Sequence, residues 1–302
     1  MTVLFNKVVV IGVGLIGGSF ALALKQAGAV AQVVGLGRSA TVVARALELG
    51  IIDQIPGSLA EAVDGADLIL IATPVAQTSS ILASLSPVLA PHTIVTDAGS
   101  TKSDVVAAAR TALGARITQF VPGHPIAGRE ANGPDAALAD LYVGKKAILT
   151  PLPENTTAMV EQVAAAWQAC GAVVHRLAPE QHDRVFAAVS HLPHLLAYAL
   201  VDQIAQASES DQLFHYAASG FRDFTRIAGS SPEMWRDIAL ANRQALSAEL
   251  AIYGTQIAKL QSMLTDSDGA GLAAMFGNAQ RARHAWLNMI EAAERPDRNG
   301  GD

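Results

Sequence analysis

The sequence predicts an α/β domain built on a mainly parallel sheet, followed by an all-α domain. Three observations predict it. Short apolar, β-branched runs alternate with helical segments of about 10–15 residues through the first half of the chain, the pattern of βαβ units. From Glu180 onward no strand pattern recurs, and apolar residues fall at helical spacing. The length of 302 residues suggests two domains, each large enough for its own core. The boundary is placed between residues 1–178 and 179–302.

Lys7 to Phe20 reads KVVVIGVGLIGGSF. An apolar strand-forming run leads into Gly12-x-Gly14-x-x-Gly17, and a helix carrying Phe20, Leu22 and Leu24 follows. A dinucleotide pyrophosphate needs this order. One glycine makes the tight turn, the second lets the backbone approach the phosphates, and the third lets helix and strand pack closely. Leu15 and Ile16 open the helix, whose unpaired N–H groups face the anion. The first domain is therefore expected to be a Rossmann-type nucleotide-binding domain. A signal sequence would also be apolar here, but Lys7 comes late and a secretory segment needs no glycines at this spacing.

The second strand, Gln32–Gly37, should end near the adenosine ribose. NAD-preferring sites carry Asp or Glu there. This chain has Gly37-Arg38-Ser39-Ala40-Thr41, a guanidinium and two hydroxyls without a carboxylate. Arg38, Ser39 and Thr41 suit a 2′-phosphate, so NADP is favoured over NAD. Arg38 could instead be a solvated residue at a helix start. Asp67–Ala72 is an almost wholly apolar strand, closed by Thr73-Pro74 at the cofactor site. Thr93–Asp97 leads into Ala98-Gly99-Ser100-Thr101-Lys102, and Thr118–Pro122 into Gly123-His124-Pro125. Lys146–Leu149 and Ala172–Arg176 are further strands flanking a helix at Glu154–Cys170.

In the helical half, Ser230-Ser231-Pro232-Glu233 is a helix-start signature with Ser230 as cap. Leu246, Leu250, Tyr253, Ile257, Leu260 and Leu264 then form a long apolar stripe. A last helix, about 271–294, repeats the habit, and Arg295–Asp302 reads as a disordered tail. The stripe could belong to an internal core. So much apolar face on so short a half favours a homodimer formed through the C-terminal helices.

Composition narrows the partners. Hydrophobic residues make up 51% and charged ones 16%, a packed globular chain. Mean hydropathy is +0.30, yet no apolar run approaches the ~18 residues of a membrane span. A net charge of −6 argues against nucleic acid and requires local cations to draw in an anionic substrate. The single cysteine, Cys170, excludes an internal disulfide and fits the cytoplasm. No metal-ligand spacing is present; His191 and His194 lack a third ligand in reach.

Ligands of open α/β sheets sit beyond the carboxyl ends of the strands. Thr73, Ser100 and His124 all fall just after strands and should ring one crevice. His124, followed by Pro125, can accept a hydroxyl proton at neutral pH, and Ser100 could orient its ring. His92, His175, His182, His215 and His284 have no such setting and read as surface or core residues. Arg222 and Arg226, four apart and beside Asp223, could clamp a carboxylate or form surface ion pairs.

These residues spell out motifs: Asp97-x-Gly99-Ser100-x-Lys102, Gly123-His124-Pro125-Ile126-Ala127-Gly128-Arg129-Glu130, Ser190-His191-Leu192-Pro193-His194 and Gly220-Phe221-Arg222-Asp223-Phe224-Thr225-Arg226-Ile227-Ala228, with Met234-Trp235 beyond. In this order they resemble the prephenate/arogenate dehydrogenases of tyrosine biosynthesis, over essentially the whole chain. The resemblance implies a Rossmann domain with a helical dimerisation domain. It implies oxidative decarboxylation of a cyclohexadienol carboxylate, giving 4-hydroxyphenylpyruvate from prephenate or tyrosine from arogenate. It also implies that His124 is the catalytic histidine, supported by Ser100, and that Arg226 holds a substrate carboxylate. His194 and Glu130 match pocket positions, and Arg129 at the rim could read the substrate side chain. The chain departs from the pattern in lacking an acidic residue at Gly37. Two other readings compete: a 3-hydroxyacid dehydrogenase, which would need a lysine in the helical core where only Lys259 is on offer, and a dimeric NADP-sensing module, which would not need His124 and Arg226.

Overall fold

The computed structural model describes residues 3–129 and 131–294; Glu130 and the tail Arg295–Asp302 lie outside the described residues. The chain divides into two compact units, Met1–Leu246 and Ser247–Asp302.

In the first unit, β1 (Phe5–Ile11) lies in the interior of the sheet, with Val8, Val9 and Val10 fully enclosed. It pairs in parallel with β2 (Val30–Leu36) on one side and β3 (Leu68–Ile71) on the other, Val9 opposite Val34 and Ile69. β4 (Ile94–Asp97) and β5 (Phe120–Val121) extend the sheet to the order β2-β1-β3-β4-β5, all parallel. Side chains alternate across a strand, so β1 feeds two cores. Val8 and Val10 join Phe20, Leu24, Leu68 and Trp167 on one face; Val9 and Ile11 join Ile69, Ile71, Leu82 and Phe120 on the other.

Helix α1 (Leu15–Gln26) covers the first face, its Phe20 ring 4.7 Å from Trp167. Helices α2 (Ala40–Glu48), α3 (Leu59–Val63), α4 (Thr78–Leu85) and α5 (Ser103–Leu113) follow the strands in turn.

After β5 the chain departs from a single sheet. β6 (Gly123–Pro125) begins a second one, antiparallel to β7 (Lys146–Leu149), and β7 runs parallel to β8 (Val173–Arg176) across the crossover helix α6 (Thr157–Ala169). His124 thus sits within a strand opposite Ile148, not in a loop after one. Its neighbour Pro125 holds the backbone extended.

The helical part opens with α7 (Pro179–Phe186), a π-helical turn over Ala187–His191, and α8 (Leu192–Ala205) in one continuous run. A π turn realigns the side chains around it and often marks a functional site. By length and a mean hydropathy of 1.3 this run, Pro179–Ala205, could cross a bilayer, contrary to the sequence expectation. Within it Phe186, Ala187, His191, Leu192 and Ala197 are buried in protein, and 28% of its most apolar window is buried.

α9 (Ser210–His215), α10 (Ser219–Thr225) and α11 (Pro232–Ala241) complete this part. Ser231, not Ser230, caps α11, because its hydroxyl is the one that accepts from Met234 N–H. α11 docks Trp235 and Ile238 against Val75. The helix expected to run on to Leu264 breaks at Asn242, and α12 (Arg243–Thr265) restarts it.

The second unit holds most of α12 and α13 (Gly269–Glu294). It leaves Leu250, Ile257, Leu264, Phe276 and Trp286 exposed.

Candidate active site

The glycine loop at the end of β1 has the geometry its spacing predicts. Gly12 adopts φ +101°, and a Cβ there would lie 2.5 Å from the Ala72 carbonyl oxygen. A Cβ on Gly17 would lie 2.1 Å from the Gly12 carbonyl oxygen, so only glycine lets α1 pack this closely on β1. Gly14 faces open space and caps α1 without a side chain, which leaves the first N–H groups of Leu15 and Ile16 for an anion. Beside it, after β3, the buried hydroxyl of Thr73 has no hydrogen-bond partner among the described residues, and Pro74 is exposed. These residues fit a dinucleotide. At the end of β2, Arg38 and Ser39 are exposed; the Ser39 hydroxyl caps α2 and lies 2.8 Å from that of Thr41.

A cleft of about 460 Å³ opens beside β6. His124 and Arg129 line it together with Phe186, Ser190, His194 and Arg226. The histidine and the arginine singled out in the sequence, 102 positions apart, therefore share one cavity. Arg226 begins a short 3₁₀ turn over Arg226–Gly229 after α10. Arg222 does not join it: its side chain is 80% exposed and lies 3.8 Å from Asp223. The two arginines therefore do not clamp one ligand in this cleft: Arg226 lines it, and Arg222 lies on the surface beside Asp223.

His124 is partly buried, and its surroundings differ from those expected. Nδ1 lies 2.8 Å from Nε2 of His182, and Nδ1 of His182 lies 2.9 Å from Asp183 Oδ1. Ser100 is half-buried, makes no hydrogen bond to His124 and does not line this cleft, and nor does Thr73. The ring is oriented from α7, not from the loop after β4. His182 is fully buried against the Phe186 ring, 4.5 Å away, which bears out the core alternative of its sequence reading; the contact with His124 is what that reading lacks.

The loop after β4 has a different role. The buried Lys102 ammonium bonds to Asp97 Oδ2 and, at 2.7 Å, to the Gly123 carbonyl. Asp97 Oδ1 accepts from Gly123 N–H at 3.0 Å. This ion pair holds both backbone groups of the residue before His124. Asp183 in turn caps α5, accepting from Lys102 N–H and Ser103 N–H at 2.8 Å each.

His194 stacks on Trp235, with centroids 3.6 Å apart, and its Nδ1 donates to the Ser190 carbonyl at 2.9 Å. That leaves Nε2 as its free ring nitrogen. His191 is buried, its Nδ1 accepting from Asn242, which also donates to the Asp183 carbonyl.

Burial holds His124 well below the ordinary histidine pKa, helped by the nearby His182, Lys102 and His191. Burial also lowers His182, against the opposing bond to Asp183, and lowers His194, with the Arg226 charge acting the same way. His124 is therefore neutral at pH 7 and able to accept a proton.

A dinucleotide cradle at the end of β1, in one unit with a cleft lined by a neutral histidine and a guanidinium, fits the class of pyridine-nucleotide oxidoreductases. Comparison with known proteins gives the family. Residues 20–176 match the nucleotide-binding domain of prephenate dehydrogenase, and residues 178–278 match its dimerization domain. The chain is 36% identical to the cyclohexadienyl dehydrogenase of Zymomonas mobilis over 94% of its own length and 97% of that protein's. Among solved structures, prephenate dehydrogenase from Aquifex aeolicus, bound to hydroxyphenyl propionate and NAD+, superposes with a TM-score of 0.87 at 37% identity, covering 93% and 98% of the two chains. Arogenate dehydrogenase from Synechocystis superposes at 0.79 with 29% identity, covering 93% and 99%. The chain belongs to the prephenate dehydrogenase family and is an NAD(P)-dependent dehydrogenase.

Proposed function

We propose that this chain carries out the oxidative decarboxylation of prephenate, arogenate or both at the His124–Arg226 cleft. The sharing of one cavity by those two side chains carries the reading. Nε2 of His124 takes the proton of the ring hydroxyl, while Arg226 holds a substrate carboxylate by a charge-assisted bond. His194 and Arg129 face the substrate's side-chain end. The bound nicotinamide supplies the acceptor for the hydride lost from the hydroxyl-bearing carbon. Meanwhile the bond to the ring carboxylate breaks, CO2 departs, and its electron pair completes the aromatic ring. His124 then returns its proton to the phenol oxygen, so the step releases no net proton. Position and charge are what the protein contributes.

NADP is the favoured cofactor on this reading, because Arg38, Ser39 and Thr41 offer a guanidinium and hydroxyls where no carboxylate stands. The exposed apolar residues of α12 and α13 support a homodimer, and a single buried cysteine suits the cytoplasm. Two substrates crossed with two cofactors, assayed on the purified protein, test the reading. Turnover of one of the two diacids with hydride transfer supports it; turnover of neither overturns it.

A further inference from the structure

The hydrogen bonds behind His124 determine where its proton resides. The Asp183 carboxylate accepts three bonds: from Lys102 N–H, from Ser103 N–H and from the His182 ring. It also stands at the N-terminus of α5, where the helix dipole favours negative charge. Burial works to raise its pKa, but the bonds from His182, Ser103 and the α5 backbone outweigh that and bring it to about 2. An ionised Asp183 is an acceptor only, so Nδ1 of His182 must carry the hydrogen. In a neutral ring Nε2 of His182 is then a bare acceptor. His124 must therefore donate through Nδ1 across the 2.8 Å contact, and its lone pair is left on Nε2. Without a partner a neutral imidazole prefers its proton on Nε2, which is the wrong form for a base reaching into the cleft.

We propose that His182, anchored by Asp183, is the positioning residue that fixes His124 in the Nδ1–H tautomer and shares the positive charge His124 takes up during turnover. The inference rests on the reading of His124 as the base. When Nε2 of His124 receives the hydroxyl proton, the Nδ1 hydrogen moves toward His182 Nε2. The charge then spreads toward Asp183, and it returns when the proton goes back to the phenol oxygen. Lys102 and His191 disfavour a cation here, and Asp97 is neutralised by Lys102, so Asp183 is the carboxylate that can balance it.

The experiment is ¹⁵N-histidine NMR on the full-length enzyme, with kinetics of three variants. In the wild type at pH 7.5, His124 should show the Nδ1–H pattern. His182→Leu should shift it to Nε2–H and lower kcat on the order of 10²-fold, with KM and the cofactor dissociation constant held within about 3-fold. His182→Gln, whose amide oxygen can accept from Nδ1–H, should recover about 10-fold of that loss. A wild-type His124 carrying its proton on Nε2 overturns the proposal without any variant. So does a His182→Leu enzyme with normal kcat while His124→Asn is inactive. Normal turnover by His124→Asn would instead defeat the assignment of the base.

Discussion

Lys102→Met tests how the site is held. Lys102 and Asp97 are both fully enclosed, and together they fix the N–H and the carbonyl of Gly123. Removing the ammonium strands a carboxylate at the end of β4 with, among the described residues, the N–H groups of Gly99 and Gly123 as its remaining donors. Breaking a buried ion pair from one side costs about 3–5 kcal/mol. A folded unit of this size loses about 2–4 °C per kcal/mol, so the apparent Tm should fall by about 6–20 °C. Adding Asp97→Asn removes the stranded charge, and the double variant should melt well above Lys102→Met. Thermal melts by circular dichroism read both effects. A Lys102→Met protein within about 2 °C of wild type would refute the reasoning, as would a double variant that melts no higher.

Four further outcomes follow from the same geometry. His124→Asn should reduce turnover by about 10²-fold or more with cofactor affinity unchanged, read by steady-state kinetics and cofactor titration. Arg226→Ala should raise KM for the diacid about 10-fold or more, from a lost charge-assisted bond of about 1.5–3 kcal/mol, and leave KM for the cofactor alone. Arg38→Ala should weaken NADP selectively; an equal loss for NAD would remove Arg38 from the 2′-phosphate site. His191, held down to about 4 by burial first and by the His182 ring next, makes stability depend on pH. Below its ordinary pKa the unfolded chain binds a proton that the folded chain refuses, so stability should fall as pH drops from about 6.5 to about 4. A urea midpoint flat across that window would contradict it.

The most local features were the most legible. β1, the glycine loop and α1 follow one another in sequence, so spacing alone specified the turn, the close approach and the helix N-terminus. His124 stood out for the same reason, through its glycine and proline neighbours. What the sequence hid was tertiary. His124 and His182 are 58 positions apart, and Glu180-Gln181-His182-Asp183 looks like the solvated face of a helix until α7 packs on β6. Its place after a strand makes Ser100 the ring's expected partner, but the loop's neighbouring Asp97 and Lys102 fasten Gly123 while Asp183 takes the end of α5. The start of the second sheet leaves no sequence signal because β6 has only three residues, too few for a period.

A crystal structure of the ternary complex with NAD+ and an unreactive hydroxyphenyl acid tests the central claim most directly. The account predicts the phenol oxygen within hydrogen-bonding distance of His124 Nε2 and the acid's carboxylate on Arg226. A ligand bound with its phenol away from His124, or with its carboxylate on another cation, would contradict it.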